Sequence, residues 1–373
     1  MNSEIKLNEM SNLTINEIVE LLGDSYSTLI NNGKDISLFP SVMLWGQPGI
    51  GKSQGVRQIA KAIEDKTGKE VRVTDVRLLL FNPIDLRGIP VANEDRTLAV
   101  WLKPKIFQMD PSNKVVNILF LDEISAAPAS VQAAAYQITL DRTVGEHKLP
   151  DNTIVIAAGN RVTDKSVAIK MPKALANRLL HFDVKSDFDA WKCWAIKAGV
   201  NKKVVGYLSF SNHSLNRFDA SRDDLAFATP RSWEMVSNIL SNVSDNVDVV
   251  FDLIAGLIGR GAAVEFRSWS KVYSKLPNIK DIFDGKNATI VNEPSVLYAL
   301  CSSMTAYARD HQDDLYRIGN SIRFACRLPK DFSSMLLKEY QSIGKDFAVN
   351  IMQNCAEFND WIRYTGVILN GIK

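Results

Sequence analysis

The sequence has few of the features that mark secreted, membrane or metal-stabilised proteins. It contains four cysteines and four histidines in 373 residues, with no Cys-x-x-Cys spacing and no histidine cluster. Because structural zinc sites and disulfide frameworks need such spacing, we expect reduced thiols and no structural zinc. No apolar run reaches the roughly eighteen residues of a membrane span, and the N-terminus lacks a basic segment followed by an apolar one. The sequence therefore predicts neither a membrane span nor secretion.

A charge excess of either sign is also missing. The chain has 44 basic and 42 acidic residues, well interleaved, for a net charge of +2 at neutral pH. Proteins that hold nucleic acid through its phosphates usually carry a basic patch, so this balance disfavours a nucleic-acid partner. Hydrophobic residues make up 46% of the chain, close to the usage of soluble globular proteins. At this length we expect about two or three domains.

The region from 41 to 184 alternates short aliphatic runs with helical patterns. This alternation is typical of a doubly wound α/β fold with a parallel sheet. The predicted strands cover 41–45, 70–76, 115–123, 153–159 and 179–184. Helices are predicted from Lys52 to Lys66, ending before Gly68, and from Pro128 to Leu140.

The two ends of the chain read as helical. Thr14 and Glu17 have the spacing of a capping box, which predicts a helix from there to Gly23. After Asp187 the strand patterns fade and helical ones dominate, apart from a predicted loop over 276–294. We predict four regions, namely an N-terminal helical segment (1–38), an α/β core (39–186), a helical domain (187–272) and a C-terminal helical extension (273–373).

A glycine-rich loop lies between the first predicted strand of this core and the helix that follows. It fits G-x-x-x-x-G-K-[ST], whose glycines let successive backbone N–H groups face phosphate oxygens. Lys52 is positioned to reach the phosphates, and the Ser53 hydroxyl to bind Mg²⁺. The predicted nucleotide-binding residues are Gly46, Gln47, Pro48, Gly49, Ile50, Gly51, Lys52, Ser53 and Gln54.

Polar residues end two later strands. The apolar run 118–121 finishes in Asp122 and Glu123, and adjacent buried carboxylates are costly unless they have a function. We assign Asp122 to Mg²⁺ and Glu123 to polarising the attacking water. Asn160 follows the strand at 153–159, at the same predicted sheet edge, where it is placed to hold that water or the γ-phosphate.

Two arginines lie further along. Arg178 immediately precedes a predicted strand, and Arg231 sits in the first turn of a helix that begins Thr229-Pro230. A cation at a helix N-terminus opposes the helix dipole, which favours an anion as its partner. Taken singly, each arginine fits a surface ion pair as well as a phosphate contact.

In this order the motifs resemble those of the AAA+ ATPases, over roughly residues 14 to 270. GQPGIGKS resembles Walker A, ILFLDE Walker B, Asn160 sensor 1, Arg178 the arginine finger and Arg231 sensor 2 of a helical lid. Three further segments resemble the MoxR and dynein-related branch. They are 82–90, the segment 97–107, which resembles a helix-2 insert, and 141–152, which resembles a pre-sensor β-hairpin.

The resemblance implies a ring, usually a hexamer, that hydrolyses ATP with Mg²⁺ at subunit boundaries. It implies that Arg178 and Arg231 serve catalysis together with Glu123 and Asn160, with Arg178 reaching the neighbour's γ-phosphate. Relatives remodel or activate client proteins, often with a von Willebrand factor A domain partner. Such ATPases occur in the cytoplasm of bacteria and in phage-infected bacterial cells, so we expect that location.

Some residues keep two interpretations. In the insert, Val100, Trp101 and Phe107, beside Lys103 and Lys105, fit either a client contact or packing within the domain. Arg161, where many relatives have proline, fits a surface cation or a second trans-acting arginine. Trp191 and Trp194 lie three apart on a predicted helix and are expected in a core.

A phosphate loop of this kind is also compatible with three other functions. A nucleotide-gated scaffold would bind ATP with little turnover, and the presence of Glu123 and Asn160 argues against it. A nucleic-acid translocase would show strong, salt-dependent binding, which the balanced charge disfavours. A small-molecule kinase would need an acceptor site, for which the sequence offers no residues.

Overall fold

The computed structural model describes residues 11–164, 171, 173–290 and 292–366. These residues form two compact units. The first holds the described residues up to Ser186 together with Asp219–Arg222, and the second holds Asp187–Phe218 and the described residues from Asp223 onward. No helix in the described ranges is long and apolar enough to cross a membrane.

The first unit contains strands and helices in alternation. Its strands are β1 (Ser11–Leu13), β2 (Val42–Trp45), β3 (Glu70–Arg77), β4 (Ile89–Ala92), β5 (Ala99–Leu102), β6 (Val115–Asp122), β7 (Thr143–Val144), β8 (His147–Lys148), β9 (Thr153–Gly159) and β10 (Leu180–Val184). Its helices are α1 (Ile15–Asn31), α2 (Lys52–Thr67), α3 (Pro83–Arg87), α4 (Ala129–Asp141) and α5 (Lys173–Ala176).

Six of these strands make one parallel sheet in the order β1-β10-β2-β9-β6-β3. β6 and β9 are buried along their whole length, which explains why they read as continuous apolar runs. Successive residues of β6 point to opposite faces. Ile118 and Phe120 join the core beneath α1 and α2, while Leu119 and Leu121 join the core beneath α4. The predicted doubly wound α/β fold is confirmed.

The N-terminal helix is longer than predicted. Its capping box is present, with Thr14 and Glu17 each accepting a hydrogen bond from the other's backbone N–H. The helix passes through Gly23, however, and ends at Asn31. A Cβ atom at Gly23 would lie 3.1 Å from the Cβ of Ala62 on α2. Glycine therefore permits close packing of the two helices here and does not end α1. The short strand β1 was not predicted.

Two hairpins lie outside the sheet. β4 pairs antiparallel with β5, which lies in the insert segment 97–107, and β7 and β8 form the hairpin predicted over 141–152. On the β4–β5 hairpin and its turn, apolar side chains are exposed, namely those of Ile89, Leu98, Val100 and Leu102. Phe107 instead lies fully buried in the core beneath α4, so its prediction as a client contact is wrong.

The second unit is helical. Its helices are α6 (Phe188–Ala198), α7 (Lys202–Phe210), α8 (Pro230–Asn242), α9 (Phe251–Ile258), α10 (Arg260–Ser270), α11 (Ile279–Phe283), α12 (Pro294–Asp310), α13 (Leu315–Ala325), α14 (Lys330–Ile343), α15 (Lys345–Asn354) and α16 (Glu357–Thr365). One core lies mainly among α6 to α10 and includes Trp191, with Trp194 packed against it. The predicted loop over 276–294 contains α11, whose Ile282 and Phe283 are buried in a second core.

A buried ion pair joins the first and last thirds of this helical unit. Lys192 on α6 lies with its Nζ atom 2.6 Å from Oε1 of Glu339 on α14, and the two side chains are 12% and 3% exposed. The other carboxylate oxygen accepts a hydrogen bond from the Thr305 hydroxyl at 2.6 Å. Since a buried carboxylate needs its partners, this contact ties α6 to α12 and α14.

We expect Lys192→Met to reduce the free energy of unfolding of the helical unit by about 3 kcal/mol, because Glu339 would stay buried without its cation. The double variant Lys192→Met/Glu339→Gln should recover most of this loss. Urea denaturation followed by tryptophan fluorescence measures both, since five of the seven tryptophans lie in this unit. A loss below about 1 kcal/mol for the single variant, the range of an exposed pair, would contradict the interpretation.

Candidate nucleotide site

Three central strands bring the predicted site residues to one edge of the sheet. β9 lies between β2 and β6, with Trp45 opposite Gly159 and Leu121 opposite Ala157. Because the strands are parallel, the loops that follow them leave at the same, carboxyl edge. The glycine-rich loop, the Asp122-Glu123 pair and Asn160 therefore lie side by side, although Asn160 follows Gly46 by 114 positions in the sequence.

The glycine-rich loop turns into α2 through two left-handed glycines. Gly49 has φ of 75° and Gly51 has φ of 106°, conformations that residues with a Cβ rarely adopt. Gly51 is the N-cap of α2 and Lys52 its first residue. The free N–H groups and the dipole of this helix end therefore face the space above the loop, which is an arrangement suited to phosphate. Ile50 is buried and anchors the loop, whereas Gln54 is exposed.

Lys52 is the central cation of the site. Its side chain donates hydrogen bonds to the carbonyl oxygens of Gly46 at 2.6 Å and Gln47 at 3.0 Å, and to Oδ1 of Asn160 at 3.0 Å. The residue is only 8% exposed. The ammonium group is thus fixed at the junction of the loop and β9, where it can exchange neutral acceptors for phosphate oxygens.

Ser53 and Asp122 form the pair predicted to bind magnesium. The Ser53 hydroxyl donates to Oδ2 of Asp122 at 2.9 Å, while Oδ1 of Asp122 accepts from the Glu123 N–H at 2.9 Å. A hydroxyl and a carboxylate are hard oxygen ligands, which Mg²⁺ prefers, and Mg²⁺ usually completes its shell with water and substrate phosphates. The donor set therefore fits a magnesium ion held by Ser53 and Asp122.

Glu123 has an unusual backbone. Its φ is 58°, in the left-handed region that costs a residue with a side chain about 1–3 kcal/mol. The conformation turns the chain immediately after Asp122, the last residue of β6. Asp122 is bonded to Ser53, and the Glu123 carboxylate is half-exposed beside it. A residue in this position is placed to polarise a water molecule.

Asn160 is positioned by residues that sequence reasoning missed. Its backbone N–H donates to the Ser125 hydroxyl at 2.9 Å. Gln132 on α4 donates to the carbonyl oxygens of Ser125 and Ala127, and Tyr136 donates to Gln132 Oε1 at 2.6 Å. These partners form the turn after Glu123 and the first turns of α4. The available signal in the sequence was the presence of two polar residues, Ser125 and Gln132, in an otherwise alanine-rich segment.

Asp75 adds a further carboxylate near the magnesium pair. It lies two residues before the end of β3, the strand that pairs with β6. Although its side chain is exposed, partial desolvation and then the nearby Asp122 carboxylate raise the pKa of Asp75 above its ordinary value. Sequence reasoning did not identify it, because carboxylates in an alternating edge strand usually only face solvent.

The three arginines have different surroundings. Arg161 is part-buried, donating from Nε to Asp183 at 2.6 Å and also pairing with Asp164, so its charge is paired within the same unit. Arg178 is exposed in the turn before β10 and makes no ion pair or hydrogen bond through its side chain within the described ranges. Arg231 is exposed at the second position of α8, in the helical unit.

The parallel sheet and the loop at its edge define a P-loop nucleotide-binding fold. Residues 41–181 match the family described as "ATPase family associated with various cellular activities (AAA)". The segment that carries the site is therefore of the AAA ATPase type, and the enzyme class is ATP hydrolase. The match does not reach the helical unit.

Other comparisons are distant. No curated protein matches the chain. Solved structures that resemble it include a RuvB mutant from Thermotoga maritima, at 15% identity over 79% of this chain and 83% of that one, with a TM-score of 0.35. PCH-2 from C. elegans is similar at 14% identity over 83% of this chain and 71% of that one, also with a TM-score of 0.35. At identities and TM-scores this low, neither likeness bears on function.

We expect Glu123→Gly to raise the stability of the first unit by about 1 kcal/mol while abolishing ATP turnover, because glycine adopts the left-handed conformation without strain. Glu123→Ala removes the same carboxylate but keeps the strain, and serves as the matched control. Thermal unfolding of the two variants measures the difference. If Glu123→Gly melts at or below the temperature of Glu123→Ala, the left-handed backbone stores no strain.

Proposed function

We propose that this chain is a MoxR-type AAA+ ATPase that assembles into a ring, hydrolyses ATP at the boundaries between subunits and uses the energy to remodel or activate a protein partner. The ring is proposed to be a hexamer. The assignment to the MoxR branch rests on the segments 82–90, 97–107 and 141–152 and on their resemblance to that branch.

The exposed Arg178 is the observation that carries this proposal. Phosphoryl transfer gains much of its rate from a cation placed against the transferring group. Within the described part of the chain, no arginine hydrogen-bonds to Ser53, Asp122, Glu123 or Asn160, which together with Lys52 form the nucleotide cluster. Arg178 is available at the surface of the same unit, and a site completed by a neighbour's Arg178 supplies the missing charge.

Each residue of the cluster has a role that follows from its position. Lys52 and the N–H groups of the glycine-rich loop bind the phosphates of ATP, and Asn160 and Glu123 orient a water molecule for attack. Mg²⁺, when bound by Ser53 and Asp122, neutralises part of the phosphate charge. Because Ser125 holds the backbone of Asn160, its hydroxyl is a positioning group for this step.

A protein client is favoured over nucleic acid by the exposed hairpin. The β4–β5 hairpin presents apolar side chains, including Ile89, Val100 and Leu102, where a nucleic-acid-binding surface would present lysine and arginine. Exposed apolar residues in contiguous positions are typical of protein–protein contacts. A partner with a von Willebrand factor A domain is proposed on the family resemblance alone.

Two substitutions separate binding from turnover. Lys52→Ala should weaken ATP binding about a hundredfold or more, because it removes charge-assisted contacts to phosphate. Arg178→Ala should leave binding unchanged and lower kcat about a thousandfold. Fluorescent nucleotide titration and a steady-state phosphate-release assay measure the two effects, with the exposed Arg363→Ala as control. Normal turnover by Arg178→Ala would remove this arginine from the mechanism.

A mixing experiment tests whether Arg178 acts on a neighbour. Neither Arg178→Ala nor Glu123→Gln should hydrolyse ATP alone. In a random one-to-one mixture, about one quarter of the boundaries would join an intact Glu123 to an intact Arg178, so about one quarter of wild-type turnover should return. Light scattering of the same samples checks that rings are present. Mixed rings as inactive as their parents would show that Arg178 does not act across boundaries.

A further inference from the structure

A hydrogen bond between two aromatic side chains joins the strand before the phosphate loop to the strand after Arg178. Trp45, the last residue of β2, donates from Nε1 to Nδ1 of His181 on β10 at 2.9 Å. The rings are nearly parallel, with centroids 6.1 Å apart and an interplanar angle of 17°. Gly46, the first residue of the phosphate loop, directly follows Trp45.

The hydrogen-bond partners of His181 determine which of its ring nitrogens carries the hydrogen. An indole N–H only donates, so Nδ1 of His181 must accept, and the ring hydrogen must be on Nε2. Nε2 lies 2.7 Å from the carbonyl oxygen of Ala176 and donates to it. His181 is therefore a neutral imidazole that uses both nitrogens to connect Trp45 with the end of α5.

The acceptor of that second bond closes the turn that carries Arg178. The carbonyl oxygen of Ala176 also accepts from the backbone N–H of Leu179 at 3.3 Å. The four residues from Ala176 to Leu179 thus form a turn with Arg178 at its third position. Since the carbonyl is held both by Leu179 and by His181, the side chain of His181 determines how the turn sits on β10.

On the other side, the pair connects to the phosphate loop. The carbonyl oxygen of Gly46 accepts from Lys52 Nζ at 2.6 Å, and its N–H donates to Gly159 at 3.3 Å. A Cβ atom at Gly46 would lie 3.2 Å from both Cβ and the carbonyl oxygen of Val184, so the loop begins in close contact with β10. A shift of Lys52 toward phosphate therefore acts on the residue next to Trp45.

We propose that Trp45 and His181 are positioning residues that couple the phosphate loop of a subunit to the orientation of that subunit's own Arg178. Bound phosphate then influences the site that Arg178 serves, and ATP turnover around the ring becomes cooperative. This inference rests on the proposed function in one respect, which is that Arg178 completes a neighbour's site. Within the described residues, neither Trp45 nor His181 hydrogen-bonds to Ser53, Asp122, Glu123 or Asn160.

The bond is separable from the stability of the sheet. β10 is already paired with β2 over Leu180 to Asp183 through backbone hydrogen bonds. Trp45 and His181 are both only half-buried. Removing their side-chain bond should therefore leave the fold intact, and a loss of function would come from the position of Arg178.

Three substitutions divide the connection into its parts. His181→Asn keeps an acceptor near the Nδ1 position for Trp45 and loses the donor to Ala176. His181→Gln keeps a donor near the Nε2 position and loses the acceptor. Trp45→Phe keeps an aromatic ring and loses the donor.

We expect each of the three variants to lower kcat about tenfold or more with KM for ATP and melting temperature unchanged, since small displacements of a catalytic group are costly. The exposed His213→Gln is the control.

Mixed rings give a readout that a merely structural role would not produce. In the mixture described above, Glu123→Gln subunits supply only Arg178, whereas Arg178→Ala subunits supply only the phosphate loop. Adding His181→Asn to the Glu123→Gln subunits should abolish most of the recovered turnover. Adding it to the Arg178→Ala subunits should leave that turnover unchanged. Equal effects in both positions would overturn the inference, as would normal kcat in all three single variants.

The single variant Arg178→Ala distinguishes the two proposals. If it is inactive while the Trp45 and His181 variants keep their turnover, the coupling is wrong and the proposed function stands. If Arg178→Ala itself turns over normally, the proposed function fails, and the coupling fails with it. Cooperativity gives a second measure, because the Hill coefficient for ATP should fall toward one in Trp45→Phe.

Discussion

The buried charge of Lys52 is the constraint on which the rest of the site depends. An ammonium group removed from water is costly unless its hydrogen-bonding capacity is met, and here oxygens of Gly46, Gln47 and Asn160 meet it. Those oxygens come from the ends of two adjacent strands, so only a sheet with β2 beside β9 can supply them together. The same geometry makes the cation ready for phosphate, which offers full negative charge in place of neutral dipoles.

Two sets of contacts lead away from that cation. One runs through Asn160 to the Ser125 hydroxyl and then, by Gln132, into α4. The other runs through Gly46 to Trp45 and His181. The first supports Asn160, which we propose to orient the attacking water, and the second reaches the turn of Arg178, which we propose to act on a neighbour's site. The nucleotide site is thereby attached to its surroundings through side chains distant in sequence.

Five of the six strands of the sheet and the phosphate loop were predictable because local pattern determines them. A buried parallel strand must be apolar throughout, and a left-handed loop must contain glycine. Long-range packing was not predictable. Gly23 is predicted as a helix end until the contact with Ala62 is seen, and the sequence alone does not decide between client contact and core packing for Phe107, which the core beneath α4 encloses. Trp45 and His181 are 136 residues apart, and no periodicity links them.

The left-handed backbone at Glu123 has a consequence for how this protein can change over generations. Glycine is the residue that the backbone there accepts most easily, and glutamate is the residue that the proposed reaction requires. Selection for heat resistance alone would therefore favour an inactive chain at this position. On the proposed mechanism, any lineage that keeps glutamate there is under selection for turnover, and a thermostable enzyme of this type must gain its stability elsewhere in the molecule.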